Sequence, residues 1–252
     1  MTATFRPRHL SVSSVGLYLR CGAAYKARYI DRLVTPNTAP QAWGTAFHKA
    51  LEALHRGEDA ELAWLTAWNA AASGFAISGQ PFGPGKAHGL ELLELFRERG
   101  LADVQGEPER KFVLPFPSGN IPVPLLGFID LNAPETRHYR DYKTSGSNFW
   151  TQTKVDLEPQ KEAYGWAYQQ INKHRAERAL WVIANTKKPA IDVYETVPSP
   201  DGFRLFEKQA EAAWNGITAG KFDGCGTCDI CAPKPARVPA EGEPSFAWEQ
   251  SV

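Results

Sequence analysis

The sequence contains no apolar run approaching the roughly 18–20 residues that a membrane-crossing helix needs, so a bilayer span is excluded. Its first ten residues, MTATFRPRHL, lack the apolar stretch of a secretory leader, and the chain is expected in the cytoplasm. Cysteine is scarce, with 4 in 252 residues, and in a reducing compartment these four are not expected to form structural disulfides. Charge of either sign is not in excess: 28 basic against 28 acidic side chains give a formal net charge of zero, which excludes a basic nucleic-acid coat. No internal repeat and no helicase motif is present. The segment Gly83–Lys86 (GPGK) suggests a phosphate-binding loop but fails the pattern, because Gln80 stands at the first glycine position and Ala87 at the Ser/Thr position.

What remains is a chain with 43% hydrophobic residues and 8 tryptophans, enough for a substantial core. Charge is uneven along it. Arg6, Arg8, Arg20, Lys26, Arg28 and Arg32 face one acid, Asp31, within the first 35 residues; this is either a local phosphate-binding patch or a solvated helix face. Helices are expected over Leu10–Ile30, Gln41–Arg56, Ala60–Ala72, Lys86–Arg99, Glu158–Ile171 and Asp201–Ala219. Strands are expected over Val104–Pro115, Ile121–Asn132, His138–Thr144, Ala179–Asn185 and Ile191–Val197. This order predicts an α/β domain with a central mixed sheet flanked by helices. A single domain over 1–231 is expected, with a helical insert at about 58–100 and a disordered, proline-bearing tail over 232–252.

The chemistry concentrates between Ile121 and Ser145. One strand ends in GFID and delivers Asp130; the next carries Asp141-Tyr142-Lys143. Alternation puts Asp141 and Lys143 on one face and Tyr142 on the other, and a hairpin brings Asp130 beside Asp141. Two carboxylates with an adjacent ammonium suit a divalent cation and phosphodiester hydrolysis. Gly44 and His48 share a helix face, as do Gln160 and Tyr164. Phe149 and Trp150 follow the second strand and either stack on bases or anchor the loop in the core. Glu109, in PERKF, is left outside the candidate set as a structural or supporting acid.

GTAFH ending at His48, GFID ending at Asp130, DYK at Asp141–Lys143 and QKEAY over Gln160–Tyr164 come in the order that characterises one family. Over about residues 10–232 the chain resembles the RecB-like branch of the PD-(D/E)XK nuclease superfamily. The resemblance implies a restriction-endonuclease-like core and a Mg²⁺- or Mn²⁺-dependent deoxyribonuclease. It further implies that His48, Asp130, Asp141 and the Tyr142 carbonyl bind the cation. Lys143 would orient or help deprotonate the attacking water, and Gln160 and Tyr164 would brace the site and touch the nucleic-acid backbone. Taken alone, His48 reads as a core histidine; the resemblance reverses that reading.

Cys21, Cys225, Cys228 and Cys231 resemble the ligands of the iron–sulfur members of this branch, among them CRISPR-associated and phage exonucleases, and imply a structural [4Fe-4S] cluster. The CxxCxxC spacing is tighter than is usual there, though compatible with such a cluster. A Cys₄ zinc site and a redox disulfide are the rival readings. The function implied is exonucleolytic cleavage of single-stranded DNA or duplex ends, in DNA repair or recombination, with a separate helicase, recombination or CRISPR adaptation protein as partner. A structure-specific endonuclease and a non-catalytic DNA-binding module are the alternatives.

Overall fold

The computed structural model describes residues 5–33, 37–77, 82–147 and 149–232. The expected tail, beyond Ala232, lies outside the described residues. Among those residues no helix is long and apolar enough to cross a membrane.

Five strands form one mixed sheet in the order β1 (Glu107–Leu114), β2 (Leu125–Ala133), β3 (His138–Ser145), β4 (Arg178–Asn185) and β5 (Ile191–Thr196). The β3–β4 pair is parallel and the others antiparallel. The parallel pair needs a crossover, which α7 (Pro159–Asn172) supplies. β4, ALWVIAN after its first residue, is buried almost throughout, as a central strand covered on both faces must be.

One face carries α1 (Val12–Arg20), α2 (Gly22–Tyr25), α7 and α8 (Pro200–Thr218) over a cluster that includes Tyr139, Tyr168, Trp181 and Phe206. The other carries α3 (Ala39–Arg56), α4 (Ala60–Ile77) and α5 (Lys86–Glu98) over Phe47, Trp64, Phe96, Tyr142 and Val182. α4 and α5 thus pack with α3 on this face. The Trp43 indole of α3 donates to Pro84 O at 3.1 Å, and the Trp68 and Trp64 indoles of α4 donate to Pro84 O and Lys86 O at 3.2 and 2.9 Å.

The N-terminal helix is broken where the sequence reads as continuous. α1 ends at Cys21, whose extended backbone caps α2, and Lys26–Ile30 runs on as a π-helical turn. The break falls where the chain meets the segment after α8: a Cβ on Gly22 would lie 2.8 Å from Phe222 Cα, so this close approach requires glycine. The loop expected over 146–156 also contains a short helix, α6 (Gln152–Asp156), capped by Thr151.

Candidate active site and thiol centre

Strand β2 delivers Asp130, and β3 delivers Asp141 and Lys143. The two strands pair only from Leu131↔Arg140 to Ala133↔His138. Beyond that they part, and the Tyr142 N–H donates to Asp130 Oδ2 at 2.6 Å instead of to a strand carbonyl. The side chain that closes the sheet is therefore the one aimed at the site. Asp141 and Lys143 face away from Tyr142, as alternation requires. The Tyr142 ring enters the α3–α5 layer, where its hydroxyl is 2.6 Å from His55 Nε2 and its ring lies over that imidazole.

Glu109 of β1 falls opposite Asp130, between the pairs Pro108↔Leu131 and Arg110↔Ile129. Its φ is +51°, left-handed backbone that a side-chain-bearing residue adopts at a cost of about 1 kcal/mol or more. The alternation of β2 slips at the same level: Ile129 and Leu131, two apart, pack into opposite core clusters. This local irregularity turns Glu109 and Asp130 toward His48 of α3. One ligand atom from each of the three lies within 4.8 Å of the others. Spacing in the sequence did not single out Glu109; the available signal was an acid on the strand before GFID, at the register position facing its aspartate.

α3 reaches the site because residue 44 has no side chain. A Cβ there would fall 2.7 Å from Thr144 Oγ1 at the end of β3. Gly44→Ala is expected to push α3 off the strand and to weaken metal binding about tenfold, with Thr144→Ala restoring most of it. Manganese titration by calorimetry on the single and double variants checks this; equal loss in both would exclude the contact as the cause.

Asp141 lies beside the triad rather than in it. Its Oδ1 accepts from Gln160 Nε2 at 2.5 Å and its Oδ2 is 2.6 Å from Lys143 Nζ. Gln160 Oε1 in turn accepts from Lys143 Nζ at 3.3 Å. The amide of α7 thus clasps both partners of the ion pair. Tyr164, one turn further on, sets its ring edge-on to Phe112.

Electrostatics show what this cluster needs. Burial, then repulsion from Asp141, pushes the Asp130 carboxyl well above the usual carboxylate range. Burial also raises Asp141, against the pull of Lys143. Burial alone would lower the Lys143 ammonium, but Asp141 and Asp130 outweigh it and hold it up. His48 falls to about 4 through burial and the nearby Lys143, and so presents a neutral imidazole at neutral pH. Three carboxylates face the Lys143 ammonium, and Lys49, at the rim of the hollow, is already paired with Glu52, so the site is short of positive charge. A divalent ion with oxygen ligands at about 2.1 Å spans about 4.2 Å between opposite ligands, so the His48–Glu109–Asp130 set fits one with little movement. The Tyr142 ring stands edge-on to the His48 imidazole, with centroids 6.5 Å apart.

Open space lies on both sides. A hollow of about 590 Å³ is lined by Gly44, His48, Glu109 and Lys143. Another of about 720 Å³ is lined by Asp130, Gln160 and Tyr164, with Arg20, Arg28 and Lys154 around it. A third, about 420 Å³ around Trp166 and Phe203, includes none of the site residues. Of the two loop aromatics, Trp150 packs against the core and its carbonyl accepts from Tyr194, whereas Phe149 is exposed with Lys154 Nζ 4.8 Å above its ring.

A second cluster closes the chain. Cys21 Sγ is 3.4 Å from Cys231 Sγ and 3.6 Å from Cys228 Sγ, and with Cys225 the four sulfurs lie within 4.8 Å of one another. Hydrogen bonds from Thr227 and from the Cys228 N–H lower the Cys225 thiol to about 6, toward the thiolate that binds metal. A single tetrahedral ion with bonds of about 2.3 Å sets sulfurs about 3.8 Å apart. A four-iron cluster, each thiolate on its own iron, needs roughly 6 Å. As they stand, the thiols are gathered for a four-thiolate centre at the smaller of these sizes.

The profile of the PD-(D/E)XK nuclease superfamily matches residues 9–236, and the chain belongs to that superfamily. No curated protein matches the sequence. Among solved structures, the chain is similar to a protein of Eubacterium rectale that is provisionally described as an exonuclease. The identity is 12% and the TM-score 0.59, over 92% of this chain and 90% of that one. At that identity the likeness shows the shared fold.

Proposed function

We propose that this nuclease is a Mg²⁺- or Mn²⁺-dependent DNA exonuclease acting on single strands or duplex ends, in DNA repair or recombination in the cytoplasm. The observation that carries the reading is the convergence of His48, Glu109 and Asp130 next to the Asp141–Lys143 pair, in a chain of this superfamily. A divalent cation held by the triad supplies Lewis-acid polarisation of the scissile phosphate and acidifies a water. With such a cation bound, Asp141 and the Tyr142 carbonyl would be available as further ligands. Lys143, kept protonated by its two aspartates, would act as a fixed positive charge at the phosphate and would orient the attacking water or help to deprotonate it. Gln160 and Tyr164 hold Lys143 and Asp141 in place and border the strand's path.

The exonuclease assignment draws support from the open hollows beside the site and from the description of the structural neighbour. The test is end-labelled linear and circular single-stranded DNA incubated after EDTA treatment and Mn²⁺ addition. Mononucleotides or short products from the linear strand alone are expected. Cutting of the circle would establish an endonuclease, and no cutting of either would sink the catalytic reading. For the thiol centre we propose a structural [4Fe-4S] cluster on the strength of the family resemblance. A single zinc ion is the second reading, favoured by the 3.4–3.6 Å sulfur contacts. Anaerobic protein with absorbance near roughly 400 nm and stoichiometric iron supports the first, colourless protein with zinc the second. A helicase, recombination or CRISPR adaptation protein would deliver the DNA end.

A further inference from the structure

The hollow of about 720 Å³ that opens beside Asp130 has a distinctive lining. Arg20, at the end of α1, and Arg28, in the π-helical turn, stand on one side, both exposed and, among the described residues, without an ion pair. Lys154 of α6 stands on the other, ion-paired with Glu158 at 2.8 Å. Phe128, which also lines the hollow, is 43% exposed. A lone exposed phenylalanine calls for no explanation. This one lies two residues before Asp130 on the same strand, about 6.6 Å away along it. That distance is about one nucleotide step of an extended single strand. Phe128 is held in the β1–β2 ladder opposite Lys111, which fixes its place relative to Glu109 and Asp130 on the same two strands.

We propose that Phe128 is a stacking platform for one unpaired base of a DNA strand lying in this hollow, with Arg20, Arg28 and Lys154 taking its phosphates. The inference rests on the nuclease reading and makes it more specific, since it assigns single-stranded DNA as the substrate at this site. Inside a duplex both faces of a base are covered by its neighbours, so away from an end an aromatic ring gains a partner only from an unpaired nucleotide. The arginines act on the backbone and carry no base preference, so the ring sets the difference between a strand with bases and one without.

The test is fluorescence anisotropy in EDTA, where no cutting occurs, using labelled oligothymidylate and an abasic strand of the same length. Phe128→Ala is expected to weaken oligothymidylate binding about tenfold and abasic binding less than twofold, and Phe128→Trp to restore the thymidylate affinity. Phe128 is surface-exposed, so these variants are expected to fold, and their thermal midpoints are measured alongside. Equal losses on the two strands, or no loss on either, would overturn the stacking role. The nuclease reading is judged separately, from Mn²⁺-dependent cleavage by the unaltered protein. If that fails while the binding pattern holds, the strand site stands and the catalytic assignment falls.

Discussion

Asp130→Asn should make the metal-free protein more stable and at the same time abolish cleavage. The introduced amide oxygen can still accept from the Tyr142 N–H, so the junction between β2 and β3 is kept. What is lost is a buried negative charge whose carboxyl is pushed well above its ordinary value, first by burial and then by Asp141. A carboxyl raised in the folded state stabilises the fold below its unfolded value, near 3.8, and loses that contribution as pH rises through the folded value. The amide does not titrate, so the stability advantage of the variant should be small at pH 4 and largest at pH 8. A gain of about 1–2 kcal/mol, typical of relieving a strained buried charge, would raise the thermal midpoint by about 2–8 °C in a chain of this size. Mn²⁺ should then raise the midpoint of the unaltered protein and leave the variant almost unmoved. Cleavage should fall by about 10³-fold or more, because the remaining ligands hold the cation less tightly and out of place. A variant less stable than the parent at pH 8, measured without metal, would show that Asp130 is structural and that the charge shortage in the site is not real.

The fold was largely legible because its signals are local. The apolar run of β4, the alternation through Asp141-Tyr142-Lys143 and the glycine stop at Gly57 each report on a few neighbouring residues, and the elements they mark are present. The site was legible in part. Asp130, Asp141, Lys143 and His48 stand in recognisable strings, and the chain brings them together. Two features were not legible because they arise from tertiary contact. Glu109 joins His48 and Asp130 only through a left-handed backbone and a slip in the β2 alternation, neither of which leaves a periodic trace. The break at Cys21 falls where Phe222, about 200 residues away, comes against Gly22. The placing of Asp141 against Gln160 and Lys143 likewise depends on how α7 crosses the sheet. In the family pattern it reads as a ligand, yet its two oxygens are held by an amide and an ammonium.

Cys21→Ser is expected to lower the thermal midpoint by about 10 °C or more, whichever metal fills the thiol centre. The centre joins the start of the domain to its end. Cys21 lies between α1 and α2, while Cys225, Cys228 and Cys231 follow α8. Beside it, α1 and α2 pack on α8 through the shared core, Tyr18 Oη donates to Lys221 O at 2.8 Å, the Ala23 N–H donates to Asp223 O at 3.2 Å, and Phe222 stacks on Tyr25, so the centre reinforces a seam that already exists. Closing a loop of about 200 residues removes on the order of 4–5 kcal/mol of chain entropy from the unfolded state, and metal–thiolate bonding adds to it. The damage should reach the catalytic side as well, but through binding. Arg20 and Arg28 flank Cys21, so a loosened α1–α2 corner weakens that wall of the strand path, whereas His48, Glu109 and Asp130 sit on elements that do not touch the thiols. The expected signature is a KM for DNA raised about tenfold or more, with kcat changed less than threefold at a temperature where the variant is folded. Chelation or oxidation of the centre in the unaltered protein should reproduce both the lower midpoint and the raised KM. A Cys21→Ser protein that melts with its parent would mean that the four thiols, though gathered, hold nothing.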